Sequence, residues 1–293
     1  MVELKNKLYI LKKEDYNFPW RLRILKDCPD ILFVLGNPEI LNDFSIAVVG
    51  SRICSEYGKR MAEKFSTELV SAGVCIVSGL AEGIDAYAHN ATLKQAGKTI
   101  AILGGGFANI FPKCNEKLLN DIIERGGALI SEYFPDDVPK SFYFPRRNRL
   151  VACMTEGTLV VEAREKSGAL ITASIAKKYN KKVFVVPSNL DNEKSKGSNG
   201  IIKLGAKVTF FTKDILDEFS YYNFKPHNIV QEPAEVNVPN EFQSTYMLLK
   251  NEPQHLNEIC RVSEKNIEQT MAELTMLEMY GYIKQLPGKL YKK

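Results

Sequence analysis

The feature that most restricts this chain is a period rather than a single motif. From Ser45 to Phe219, short apolar runs alternate with stretches of helical spacing. Ile46-Ala47-Val48-Val49, Val74-Cys75-Ile76-Val77, Thr99 to Leu103, Ala128-Leu129-Ile130, Thr158-Leu159-Val160-Val161, Val183-Phe184-Val185-Val186 and Val208-Thr209-Phe210-Phe211 are each nearly continuous in apolar character. A strand with one wet face would alternate with polar residues. Unbroken runs belong to strands covered on both faces, as in a parallel sheet. Between the runs, Tyr57, Met61, Phe65 and Leu69 recur every fourth residue, which predicts a helix over 56–72 stopped by Gly73. Further helices are expected over 84–96, 115–125, 169–179 and 214–219, with a short one near 199–204. This alternation predicts a doubly wound α/β domain over residues 45–220, an extended Rossmann arrangement with a mostly parallel sheet and right-handed crossovers.

Residues 1–44 read as a lead-in packed on that domain, with strand-like runs at Leu8–Leu11 and Ile31–Leu35. Residues 221–240, carrying Pro226, Pro233 and Pro239, read as an extended linker. Residues 241–293 predict three helices followed by a hairpin turning at Pro287-Gly288, the pattern of a winged helix.

Composition mainly excludes. No apolar run reaches the roughly 18 residues of a membrane span, and the N-terminus has no apolar signal core, so a cytoplasmic protein without membrane contact is expected. The six cysteines include no C-x-x-C pair, and the three histidines complete no ligand spacing, so reduced, mostly buried thiols and no metal are expected. The net charge of +4 is too mild to identify a partner by itself.

In a doubly wound sheet, ligands sit at the carboxyl ends of the strands. The loops there read Gly50-Ser51-Arg52, Ser78-Gly79-Leu80-Ala81-Glu82-Gly83, Gly104-Gly105-Gly106 and Glu162-Ala163-Arg164-Glu165-Lys166-Ser167-Gly168. Small residues admit backbone N–H groups to an anion, and the following helix N-terminus adds donors. Each loop alone reads better as a tight strand-to-helix turn; four on one edge shift the balance toward phosphate binding. No G-x-G-x-x-G or P-loop fingerprint is present, and no nucleophile has a neighbouring histidine. Asp85 and His89, four apart, read as a local helical pair in preference to an acid–base pair.

The stretch Pro139-Lys140-Ser141-Phe142-Tyr143-Phe144-Pro145-Arg146-Arg147-Asn148-Arg149-Leu150 sets four cations beside three successive aromatic rings. Cations neutralise phosphates and rings stack on bases, the combination used for single-stranded nucleic acid. The bland reading, packed aromatics followed by a solvated basic helix start, stays open on these residues alone.

Taken together, Gly50-Ser51-Arg52, the run Ser78 to His89 (SGLAEGIDAYAH), Phe144-Pro145-Arg146-Arg147-Asn148-Arg149 and Ser167-Gly168-Ala169-Leu170-Ile171-Thr172-Ala173 resemble the DNA-processing protein A (DprA/Smf) family in order and spacing over about 30–219. A winged-helix tail is a common extension of that family. The resemblance implies a non-catalytic protein without cofactor. It would bind single-stranded DNA in a basic pocket, form a homodimer, protect incoming DNA in natural transformation and help load the RecA recombinase. Carried over by motif, Gly50, Ser51, Arg52, Ser78, Gly79, Ser167, Gly168 and Thr172 would lie along the backbone phosphates. Arg146, Arg147 and Arg149 would line the pocket with Asn148 positioning its loop. Lys140 and either Phe142 or Phe144 would meet backbone and base. The chain departs from the family pattern at Pro187-Ser188, where Pro-Gly is usual, and in a shorter N-terminal helical region.

An alternative is a nucleotide phosphoribohydrolase resembling the cytokinin-activating enzymes. Gly157-Thr158 followed by Glu162 suggests their motif, but the glutamate stands one residue too far along and Thr155-Glu156 replaces the paired glycines. A nucleotide-sensing transcription factor would rest on the winged helix alone. The third helix of that domain carries Glu264, Glu268, Glu273 and Glu278 against Lys265, which opposes duplex DNA. A protein partner is therefore expected there, with the basic wing (Lys284, Lys289, Lys292, Lys293) as its one DNA-compatible surface.

Overall fold

The apolar runs in the middle of the period form strands covered on both faces, as their lack of alternation requires. The last run, 208–211, does not, since its strand is only Lys207–Val208 at the sheet edge and Phe210 and Phe211 lie beyond it, exposed. All residues of β3 (Ser45–Val49), β4 (Cys75–Ser78), β5 (Thr99–Ile102), β6 (Ala128–Ser131) and β7 (Gly157–Val160) are buried. The computed structural model describes residues 8–224, 238–250, 252–263 and 265–292. Chain contacts divide it into two units, Met1–Val230 and Gln231–Lys293.

In the first unit, β8 (Lys182–Val185) and β9 (Lys207–Val208) complete seven parallel strands, and two strands of the lead-in, β1 (Leu8–Lys12) and β2 (Ile31–Gly36), extend the sheet. The order is β1-β2-β6-β5-β4-β3-β7-β8-β9. The β2 strand runs antiparallel to β6, with Val34 opposite Ile130. The lead-in is thus part of the sheet, and its 3-10 turn Trp20–Ile24 packs against the later helix α4 (Tyr143–Met154). The predicted domain end at 220 falls short, because Tyr222 and Phe224 pack their rings on Phe44 at 4.4 and 5.0 Å. Most of the predicted linker, 225–237, lies outside the described residues.

Helices α1 (Glu56–Ser71), α2 (Ile84–Lys94) and α3 (Glu116–Glu124) bury one face of the sheet through Phe65, Leu69, Ile84 and Ile122. The helix α4 and α5 (Gly168–Lys178) bury the other through Leu150, Val151, Ala173 and Ala176. A short helix α6 (Lys196–Gly200) and α7 (Thr212–Leu216) flank β9. Successive crossovers step from β3 outward to β6, then return to lay β7 on the other side of β3. The winding direction therefore reverses between β3 and β7, where a doubly wound sheet opens a crevice at its carboxyl edge.

The second unit has its own core of Leu249, Leu256, Ile259, Leu274, Leu277, Ile283 and Tyr291. Its helices are α8 (Asn240–Leu248), α9 (Leu256–Ser263) and α10 (Ile267–Met279), and its sheet joins β10 (Gln254–His255), β11 (Lys284–Leu286) and β12 (Leu290–Lys292). Three helices and a wing are as the sequence predicts. The third helix starts at 267 rather than 264 because Asn266 caps it, accepting from the Gln269 amide at 2.8 Å.

Candidate nucleic-acid interface

A cleft of about 660 Å³ occupies the crevice between β3 and β7. Its floor is made by continuing the strand ladder into the loops. Val161 N donates to Val49 O at 3.0 Å and Ser51 N to Glu162 O at 2.7 Å, so the two loops leave the sheet bonded to each other. Gly50 is required at this junction: a β-carbon there would stand 2.5 Å from Ile84 Cγ1 and 2.8 Å from Glu162 O. Ser51 is buried with its hydroxyl donating to Ile53 O, while the Arg52 side chain stands out into solvent, its guanidinium 5.7 Å over the Phe144 ring. Across the crevice Ser167 caps α5, its hydroxyl accepting from Ala169 N, and Gly168 and Thr172 line the wall behind it.

The third wall is α4. Its residues Phe144, Arg147 and Asn148 turn toward the crevice. Arg147 is 4% exposed, and its Nη1 donates to Gly79 O at 2.6 Å and to Ile102 O. Burial pushes its guanidinium down to about 10, with Asp85 opposing that shift. Asp85 accepts from the amides of Gly79 at 3.0 Å and Ala81 at 3.4 Å; burial raises its carboxyl against the pull of Arg147 and those donors. The two form one buried cluster that fixes α4 to the ends of β4 and β5. Gly79 lies within it, since a β-carbon would meet Arg147 Nη2 at 2.7 Å and Asp85 Oδ2 at 2.8 Å. Asn148 joins α4 to α5, donating to Gly168 O at 3.2 Å. Arg164 and Lys166 bring two more exposed cations to the rim, and Phe111 adds a second ring 5.4 Å from Phe144. Four cations thus line the cleft with Asp85 as the one carboxylate, an arrangement suited to a polyanion whose apolar rings need a stacking surface.

The family model for "DNA recombination-mediator protein A" matches residues 9–220, and that for the "DprA winged helix domain" matches 232–289. The chain belongs to the DNA recombination-mediator protein A family. Among similar proteins of this DprA family, Protein Smf of Escherichia coli K12 is 35% identical over 285 residues, 96% of this chain and 76% of its own. The X-ray structure of DprA from Streptococcus pneumoniae superposes with a TM-score of 0.69 at 38% identity, covering 75% of this chain and 76% of that one. A structure of the Helicobacter pylori protein, described for its single-stranded DNA binding mode, gives 0.65 at 31%, covering 74% and 97%.

Within this DprA-family fold, the motif residues divide. Gly50, Ser51, Arg52, Gly79, Phe144, Arg147, Asn148, Ser167, Gly168 and Thr172 all line one cleft. Ser78 does not: it is fully buried, its hydroxyl spent on Val48 O at 2.7 Å. Arg149 does not either. It turns to the opposite side of α4, where Nε meets Asp27 Oδ2 at 2.6 Å and Nη2 meets Glu132 Oε2 at 2.8 Å. Its charge is neutralised at a structural joint with the lead-in. Arg146 is half exposed, 3.5 Å from the same Glu132. Lys140 and Phe142 stand exposed outside the cleft lining, Lys140 5.6 Å over the Tyr143 ring and Phe142 edge-on to it at 4.8 Å.

The triple glycine also changes role. A β-carbon on Gly104 would lie 2.7 Å from Phe144 Cδ1, one on Gly105 2.7 Å from Pro139 Cγ, and one on Gly106 would collide with the carbonyls of Phe134 and Pro135. These glycines admit the 133–144 segment, not a phosphate. Asp85 and His89 form no pair: His89 Nδ1 bonds Thr99 Oγ1 at 2.7 Å, while Asp85 turns to the loop amides. Of the cysteines, Cys75 and Cys153 are buried, Cys114 is exposed and Cys28, Cys54 and Cys260 are intermediate, so fewer are buried than the sequence suggests. Among the described residues, no His/Cys/Asp/Glu group could hold a metal and no helix is long and apolar enough to cross a membrane.

Arg164, Lys166 and Phe111 were not singled out from sequence. The two cations had a signal, because they stand in the rim loop before Ser167. Phe111 had none, since only the fold of the loop after Gly106 brings its ring to Phe144.

Proposed function

We propose that this chain holds single-stranded DNA in the cleft between β3 and β7, protects incoming DNA in transformation and helps place the RecA recombinase upon it, working in the cytoplasm as a homodimer without chemistry of its own. The observation that carries the DNA reading is the set of Arg52, Arg147, Arg164 and Lys166 around the Phe111 and Phe144 rings at the topological switch point. Phe144 is the better placed of the two expected stacking rings, because it lines the cleft and Phe142 does not. The winding reversal gives the strand an open groove, and the α5 N-terminus adds partial positive charge for its phosphates. The Helicobacter pylori relative supports the ligand and the family's name supports the recombination role.

The phosphoribohydrolase reading loses its catalytic carboxylate. Glu162 is fully buried at the start of α1, accepting from the Ser55 amide at 2.9 Å and the Ser55 hydroxyl, with Gly58 packed against it. A group so committed is a helix cap rather than a general acid or base.

For the dimer, the support is the edge strand β9, which leads into Phe210 and Phe211, 63% and 65% exposed. Ile215 of the neighbouring α7 is buried and takes no part in this exposed pair. For the winged helix, a protein partner is supported by the outward residues Ile267, Met271 and Met279 of α10. The acidic objection to duplex DNA weakens, since Glu273 pairs with Lys265 at 2.7 Å and Glu278 accepts from the Gln285 amide; Glu264 and Lys293 lie outside the described residues.

The deciding experiment is a salt series of binding to single- and double-stranded oligonucleotides. Single-strand affinity should fall linearly on logarithmic axes, by about 0.7 per phosphate contact. Affinity indifferent to salt would overturn the proposal. RecA filament assembly on DNA already coated by another single-strand binder tests the loading role, which fails if this chain does not speed it.

A further inference from the structure

A smaller cavity of about 80 Å³ opens beside the main cleft. Phe111 and Phe144 line it, their ring planes tilted by 50°, together with Arg147 and with Arg52, whose guanidinium stands 5.7 Å over the Phe144 ring. Glu82 also lines it, and it is the one carboxylate in that lining. That carboxylate is exposed, accepts from the Cys114 thiol at 3.5 Å, and forms no ion pair with any described residue.

A carboxylate on a polyanion-binding rim weakens binding by repulsion unless it meets a donor on the ligand. The donors that a single strand can present there are on its bases. Guanine offers N1–H and N2–H side by side, which a carboxylate accepts as a pair, and next to them the O6 acceptor that an arginine fork suits. Adenine and cytosine offer one amino group flanked by a ring acceptor. Thymine offers one N–H between two carbonyl oxygens, both repelled by Glu82.

We propose that Glu82 makes this side cavity a guanine-reading subsite. The inference rests on the reading that the cleft holds single-stranded DNA. A base enters between the rings and the loop, stacks on Phe144, and places its N1–H and N2–H on the Glu82 oxygens with O6 toward Arg52. Glu82 is then a specificity-determining residue that trades general affinity for base preference.

Competition binding of the full chain to an all-thymine oligonucleotide, and to one of equal length with single guanines interspersed, tests this. The guanine-bearing strand should bind about tenfold tighter to the parent, and Glu82→Gln should bring the two to within about twofold. If the parent binds both tightly, salt-dependently and equally, the base reading fails while the DNA reading stands. If Glu82→Gln tightens both by the same factor and keeps their ratio, Glu82 is only a rim charge and the proposal is overturned. If neither strand binds with salt dependence, both readings fall.

Discussion

Arg147 and Arg149 stand two positions apart on α4, and residues at that spacing face opposite sides of a helix. Arg147 is anchored under the crevice by the carbonyls of Gly79 and Ile102; Arg149 is turned to Asp27 and Glu132. The run of basic residues was legible in the sequence, but its helical phase was not, because only the tertiary partners decide which side is the cleft. Arg149→Ala should therefore act on folding. It leaves Glu132, only 4% exposed, without its closer cation and should cost about 3 kcal/mol in denaturant unfolding, with the salt slope of DNA binding as in the parent. A lowered slope with parental stability would return Arg149 to the binding surface. Arg52, exposed over Phe144 and free of any ion pair among the described residues, should behave in the opposite way. Arg52→Ala should preserve stability and, on strands without guanine, weaken binding and lower the slope by about 0.7.

At the scale of elements, strands β3 to β7 were read to within a residue because burial on both faces leaves an unbroken apolar signature, whereas the edge strand β9 stops at Val208, short of the expected Phe211. The antiparallel addition of β1 and β2 left no such signature. Leu8–Lys12 and Ile31–Gly36 are ordinary short apolar runs, and nothing local says which strand they pair with. The loops behave as coupled elements. Gly83 at the start of α2 has φ +74°, and a β-carbon there would collide with the carbonyls of Ser51 and Arg52, while Ile84 N donates to Ser51 O at 3.2 Å. Gly83→Ala must displace the Ser51-Arg52 loop, so it should weaken DNA binding as well as lower thermal stability; binding as tight as the parent's would show the loops to be independent. At the far edge of the sheet, Glu218 joins Lys182 of β8 and Lys207 of β9, each at 2.7 Å. Those hydrogen bonds hold its carboxyl down to about 2 from the ordinary 4.5. With the folded value below the unfolded one, the unfolded chain takes up the proton first. The stabilisation is present above 4.5 and is lost as pH falls toward 2. Glu218→Gln should flatten that part of the stability–pH profile, and an unaltered profile would remove the ion triad from the account.

For the whole molecule, the two units divide the chemistry. The residues of the cleft, and the buried Arg147–Asp85 cluster behind them, all belong to Met1–Val230, while the winged helix closes its own core with Leu274, Leu277 and Tyr291. No residue of that core appears in the three clusters packed on the large sheet. The winged helix was visible in the sequence as three apolar periods and a Pro-Gly hairpin, but the direction of its acids was not, since Glu273 is drawn inward by Lys265 and Thr245. If the cleft alone holds the strand, removing 225–293 should leave single-strand affinity and its salt slope as in the full chain. The full chain should in turn show no added slope on duplex DNA. The measurement is the same salt series on both proteins, preceded by a thermal melt showing that the shorter one unfolds in one transition. A slope smaller by about 0.7 or more in the truncated protein would place at least one phosphate contact on the wing, where Lys284, Lys289 and Lys292 are the available cations, and would move the winged helix from a protein-docking element to a second DNA-binding surface.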